Sequence, residues 1–175
     1  MNFLAMRPDW PHIHIMINHF PVILAVMGAL AALLGMLRSR RGIWLYATAT
    51  LTIAALASVP TYFTGEPAEH ALNRPWYIAR ASIHTHEDAA LVATIITGVA
   101  GLIALFAWRR LVRYPREISL PRGLRIAVVV TAVAAAAAMG YASLLGGYII
   151  HDAPGLTQPR PVATPPVGSE PAVTP

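Results

Sequence analysis

The sequence predicts an all-α protein, a four-helix transmembrane bundle with both termini on the outer, periplasmic side. Three observations carry this reading. The 175 residues are 56% hydrophobic and only 12% charged, about half the charge of an average globular chain, which excludes a disordered chain and a free soluble enzyme. Four apolar runs approach the ~20 residues that cross the hydrocarbon of a bilayer, and none shows the period-two alternation of a membrane barrel. The arginines concentrate in two of the links between those runs, as on the cytoplasmic side of a bacterial inner-membrane protein.

The first span covers about residues 20–37, the second about 43–64, the third about 89–108 and the fourth about 124–150. Arg38, Arg40 and Arg41 lie between the first and second. Arg109, Arg110, Arg113, Arg116, Arg122 and Arg125 lie between the third and fourth, with Glu117 the only acid among them. By the positive-inside rule both links are cytoplasmic, so the N-terminus, the link from Gly65 to Asp88 and the C-terminal tail share the opposite face. The basic residues mark topology rather than nucleic-acid binding. Trp44, Tyr46 and Trp108 fall at the expected inner interface, and Trp10, Tyr62, Trp76, Tyr77 and Tyr148 at the outer one, where amphipathic rings are favoured.

Residues 1–20 lack a basic start and a small-residue cleavage site, so the first span reads as a retained anchor. Gly98 and Gly101 in the third span, and the alanine-rich fourth, suit close helix approach where lipid supplies no hydrophobic drive between helices. In TGEPAEHAL, Gly65 suits a helix end and Pro67 the first turn of a short interfacial helix over the bundle mouth. The membrane domain is residues 1–152; residues 153–175, rich in proline, form an extended, disordered outer tail.

The chain has no cysteine, which excludes disulfides, thiolate-held iron–sulfur clusters, thioether-attached haem and a cysteine nucleophile. Any metal must sit on His, Met or carboxylates. All seven histidines fall on the predicted outer side. His19, His70, His86 and His151 stand at the four helix ends at a common depth, and an antiparallel bundle converges those ends. Glu66, Glu69 and Glu87 join that layer.

Neutral imidazoles with carboxylates suit a transition metal such as Cu, Zn or Fe. In that reading His14, His19 and His86 supply nitrogen, Glu66 and Glu69 supply oxygen, and His70, Glu87 and His151 stand beside them. The alternative cofactor is haem b held between two helices, with His19 or His70 facing His86 or His151 and Arg74 or Arg80 binding the propionates. Plainer roles stand next to these. Thr85-x-x-Asp88 has capping-box spacing, Glu87 and Asp88 complement a helix N-terminus, and His151 suits a helix C-terminus. His12 and His84 lie two residues from His14 and His86, off their helical face.

Four segments resemble a widespread family of uncharacterised bacterial four-helix membrane proteins, known as a domain of unknown function. They are HIMINHFPVIL at His14–Leu24, TGEPAEH at Thr64–His70, the His86–Glu87 pair, and LGGYIIH at Leu145–His151. The family's His-x4-His-Phe-Pro start is matched by His14, His19, Phe20 and Pro21, and its Gly-x-x-Ala-Glu by Gly65, Ala68 and Glu69. The resemblance covers about the first 150 residues and implies topology and a polar outer site. Relatives that accompany redox modules hint at electron transfer. His70 and His151 depart from the commoner pattern.

Two functions follow as expectations: an outward-facing His/Glu cluster binding a transition metal or haem b for electron transfer or metal handling, and a non-catalytic accessory subunit of a respiratory or photosynthetic complex. The partners are the lipid bilayer and, in either case, a larger redox membrane complex; nucleic acid is not one. No Ser–His–Asp arrangement or phosphate-binding glycine loop points to an enzyme, and the span centres carry no ionisable residue of an ion path. A reporter enzyme fused after Arg41 is expected to be active on the cytoplasmic side only; activity on the outer side overturns the topology.

Overall fold

The protein, described by a computed structural model over residues 9–71, 80–116 and 119–151 (backbone only at 150 and 151), folds into four α-helices, with no strand among the described residues. Helix α1 runs Trp10–Arg38, α2 Arg41–Ala71, α3 Arg80–Arg113 and α4 Arg122–His151. All four are long and apolar enough to cross a membrane. At ~1.5 Å per residue their 29, 31, 34 and 30 residues exceed the ~30 Å of a hydrocarbon core, so each helix has several turns to spare beyond its span. The chain has the architecture of a multi-pass membrane protein. The proline-rich tail lies outside the described residues.

Each helix packs on two neighbours in a closed ring: α1 on α2 and α4, α3 on α2 and α4. Helices α1 and α3 therefore face each other across the diagonal. The antiparallel order gathers the start of α1, the end of α2, the start of α3 and the end of α4 at one end of the bundle. Every described histidine and acid lies at or near this end. The opposite end carries the described arginines other than Arg80.

Local sequence explains the helix limits. Asp9 is the N-cap of α1, its carboxylate accepting from the His12 backbone N–H at 3.2 Å, and Pro11 occupies the first turn, where a missing N–H costs nothing. A further bond to the His12 ring holds the Asp9 carboxyl below its ordinary range. Ser39 ends α1 in the left-handed region, at φ 39°, and its N–H returns to the Gly35 carbonyl at 2.9 Å.

The interior is built from small residues and the exterior from large ones. Ala25, Ala32, Ala47, Ala54, Ala93, Ala100, Ala104 and Ala132 are buried, whereas Leu102 is 70% and Phe106 63% exposed. A water-soluble bundle has the reverse arrangement; this one suits a lipid solvent, in which association depends on close backbone approach. A Cβ on Gly101 would collide with the Ala55 methyl, one on Gly28 would lie 2.7 Å from the Leu51 side chain, and one on Gly35 would lie 2.8 Å from the Trp44 ring.

Several local expectations change in the folded chain. Pro67 does not open a separate interfacial helix; Glu66–His70 complete α2, since one proline removes one hydrogen bond and the turns on either side continue. Helix α3 starts at Arg80, so Thr85 is interior, and its hydroxyl donates to the Ala81 carbonyl at 2.8 Å instead of capping. Trp44 is fully buried against Gly35 rather than in an interfacial belt. Gly98 meets nothing within 4 Å, so Gly101 alone of that pair serves close approach.

Replacing Gly101 with Leu is expected to lower stability by roughly 1–3 kcal/mol, the cost of overpacking a filled interface. Gly98→Ala should be neutral or stabilising, because glycine costs ~1 kcal/mol inside a helix. Unfolding in mixed micelles measures both; equal effects of the two substitutions would contradict the packing described.

Candidate functional site

His14 and His86 are the two histidines drawn into the bundle. His14 lies in the second turn of α1, half-buried, with its Nδ1 3.0 Å from the Thr64 hydroxyl of α2. His86 lies in the second turn of α3, half-buried, with its Nδ1 2.9 Å from the Ala142 carbonyl of α4. All four helices thus take part in holding the two rings. The two rings stand on diagonal helices at the same end of the bundle.

The hydrogen-bond partners decide the tautomers. A carbonyl oxygen can only accept, so the proton of His86 is on Nδ1. For His14 the same result comes in two steps. Thr64 Oγ1 lies 2.9 Å from the Thr61 carbonyl, and two oxygens at that distance share the one hydroxyl hydrogen. The Thr64 oxygen is then an acceptor toward His14, whose Nδ1 must donate. In its neutral form each imidazole therefore keeps a lone pair on Nε2; the ring bonds that the described residues make to side chains and to Ala142 are at Nδ1, and the Thr61 backbone also lies against the His14 ring. Imidazoles that bind metals are oriented in this way, by a bond from the other ring nitrogen to a protein oxygen.

Glycine sets the position of one ring. A Cβ on Gly146 would lie 3.0 Å from His86 Cε1 and 3.3 Å from its Nδ1, so the bare backbone lets the imidazole rest against α4. A Cβ on Gly65 would make an ordinary 3.6 Å contact with His14 Cε1. One helical turn beyond His14, the Asn18 carboxamide oxygen is buried with no partner among the described residues, which leaves a further acceptor near the pair.

The other predicted site residues are spread around the outside of this end. His19 is exposed, its Nδ1 bonded to the Ile15 carbonyl of its own helix at 3.0 Å. Glu66 and His70 are both exposed and lie 3.7 Å apart along α2. Glu87 lies 3.1 Å from His84 along α3. Glu69 is half-buried and Arg80 is exposed. Arg74 and the His151 side chain lie outside the described residues. No three His, Asp or Glu side chains among the described residues are grouped to hold a metal ion.

Sequence reasoning identified His14 and His86 but assigned no role to Thr64, Asn18 or Gly146. The signals were present. Asn18 is four residues from His14 and so shares its face, and Thr64 and Gly146 sit inside two of the segments that carry the family resemblance. Comparison of the chain with family models, with curated proteins and with solved structures gives no match.

Nitrogen-15 spectra of the imidazole rings are expected to show both His14 and His86 protonated at Nδ1 and bare at Nε2. Thr64→Val should abolish that preference for His14 alone, at a cost of about 1 kcal/mol for the lost bond. An Nε2–H form at either ring in the wild type overturns the assignment.

Proposed function

We propose that the protein is an electron-transfer or metal-handling protein of the bacterial inner membrane, with a haem b or a transition metal held by Nε2 of His14 and His86. The observation that carries this is the pair of Nδ1-anchored imidazoles on diagonal helices. The distribution of arginines supports an outward-facing histidine end by the positive-inside rule.

The chemistry of the donors favours haem over a bare ion. A bare transition metal needs three or four protein ligands or bound water, and Glu66 and Glu87 pair with His70 and His84 along their own helices. A haem needs only two axial imidazoles from the protein and supplies reversible one-electron chemistry when bound. The chain's own contribution is to fix the rings: Thr64 and the Ala142 carbonyl set the tautomers and raise the basicity of each Nε2, and Gly146 admits one ring close to α4. Arg80, six residues before His86, is the described arginine available for a propionate.

The test is a reduced-minus-oxidised absorption spectrum with elemental analysis on gently purified protein. Soret and α bands are expected in the wild type and are expected to vanish in His14→Ala and in His86→Ala, while His19→Ala and His70→Ala keep them. Stoichiometric Cu, Zn or Fe without bands selects the bare-metal form. Bands that survive both His14→Ala and His86→Ala overturn the ligand assignment. A wild type with neither bands nor metal makes the protein an accessory subunit instead.

A further inference from the structure

The arginine end holds buried polar groups that no described residue satisfies. Arg41, the first residue of α2, donates from Nη2 to the Leu111 carbonyl in the last turn of α3 at 2.7 Å. Arg125, in the first turn of α4, donates from Nη1 to the Ser39 hydroxyl at 3.3 Å. These bonds tie α2 to α3 and α4 to the α1–α2 turn. Ser39 keeps its hydroxyl at a positive φ, where glycine is favoured. Yet the Nε atoms of both Arg41 and Arg125 are buried and have no hydrogen-bond partner among the described residues, and the same holds for the hydroxyl of Ser119, just ahead of α4.

A topology signal alone does not require this arrangement. Arginines that merely obey the positive-inside rule extend into water with every N–H solvated. Here two guanidinium groups are folded onto the bundle, and buried N–H groups without partners mark a missing acceptor. Among the described residues, no acid lies at this end to provide one. The N-terminus of α4, between Ser119 and Arg125, adds unpaired backbone donors and a positive partial charge.

We propose that the arginine end binds the phosphate of an anionic phospholipid headgroup, with Arg41, Arg125 and the Ser119 hydroxyl as its donors. The location selects the source. In a membrane-spanning bundle the ends of the helices lie at headgroup depth, where phosphodiesters are the abundant anions. Guanidinium offers a planar fork to phosphate oxygens, with Nε as one tine, and an ammonium cannot reproduce it. The site lies at the opposite end of the bundle from the histidine pair and does not depend on it.

The test uses the full chain in non-ionic detergent, with native mass spectrometry to count retained lipid and titrations of phosphatidylglycerol, phosphatidylcholine and inorganic phosphate. Arg41→Lys and Arg125→Lys keep the charge and the topology signal but remove Nε; Arg40→Gln, at an exposed position, removes a charge nearby. Phosphatidylglycerol is expected to bind selectively to the wild type. Each Lys variant should weaken it on the order of tenfold, the weight of one charge-assisted hydrogen bond, and Arg40→Gln should weaken it less. Circular dichroism on the Lys variants checks that the helices remain. Equal binding by the Lys variants, or a larger loss in Arg40→Gln, would mean bulk charge and overturns the site. Inorganic phosphate that displaces the lipid at equal concentration overturns the headgroup as its ligand.

Discussion

Hydrocarbon offers no hydrogen-bond partner to a peptide group, and from that constraint most of this structure follows. A chain that crosses it must pair its backbone within each segment, and four continuous helices do so. The same solvent removes the hydrophobic drive between helices, so they are held by packing at short range. Gly101 against Ala55, Gly28 against Leu51 and Gly35 against Trp44 are the places where that packing is closest. Polar side chains inside the bundle follow the same rule on a smaller scale. Thr48 donates to the Trp44 carbonyl at 2.7 Å, Thr52 to Thr48 at 2.8 Å and Thr131 to Ala127 at 2.7 Å, each within its own helix.

The interior is closely packed, with alanine and glycine at many of its contacts, and the charged and imidazole side chains stand toward the two ends. The ends differ in kind. The histidine end offers imidazole rings, two of them fixed by hydrogen bonds to neighbouring helices. The arginine end offers permanent positive charge and N–H groups without acceptors among the described residues. In the readings proposed above, the first end takes a metal or haem and the second an anion.

Much of the fold was legible in the sequence. Spans near 20–37, 43–64, 89–108 and 124–150 correspond to α1–α4, because membrane insertion selects for the uninterrupted apolar runs that a reader counts. The helix limits were less legible. Helices α1 and α3 start about ten residues before their apolar runs, since a turn that leaves the hydrocarbon can be polar and still be helical. Trp44 shows the same limit: an aromatic residue near a span end reads as an interfacial anchor, and only the facing Gly35 allows it to be buried.

For the candidate site, the sequence by itself determined that the histidines and most carboxylates gather at one end and most arginines at the other, because antiparallel helices of similar length fix depth. Depth is a one-dimensional property that residue number records. Only the tertiary structure decided which side chains meet, because that depends on the rotation of each helix about its axis. His14 and His19 differ by five residues and point apart, one to Thr64 of α2 and one back to its own helix. His86 reaches Ala142 across a sequence distance of 56 residues, and no local pattern encodes that meeting. It depends on how α3 and α4 settle against one another, and on the missing Cβ of Gly146 that lets the ring fit.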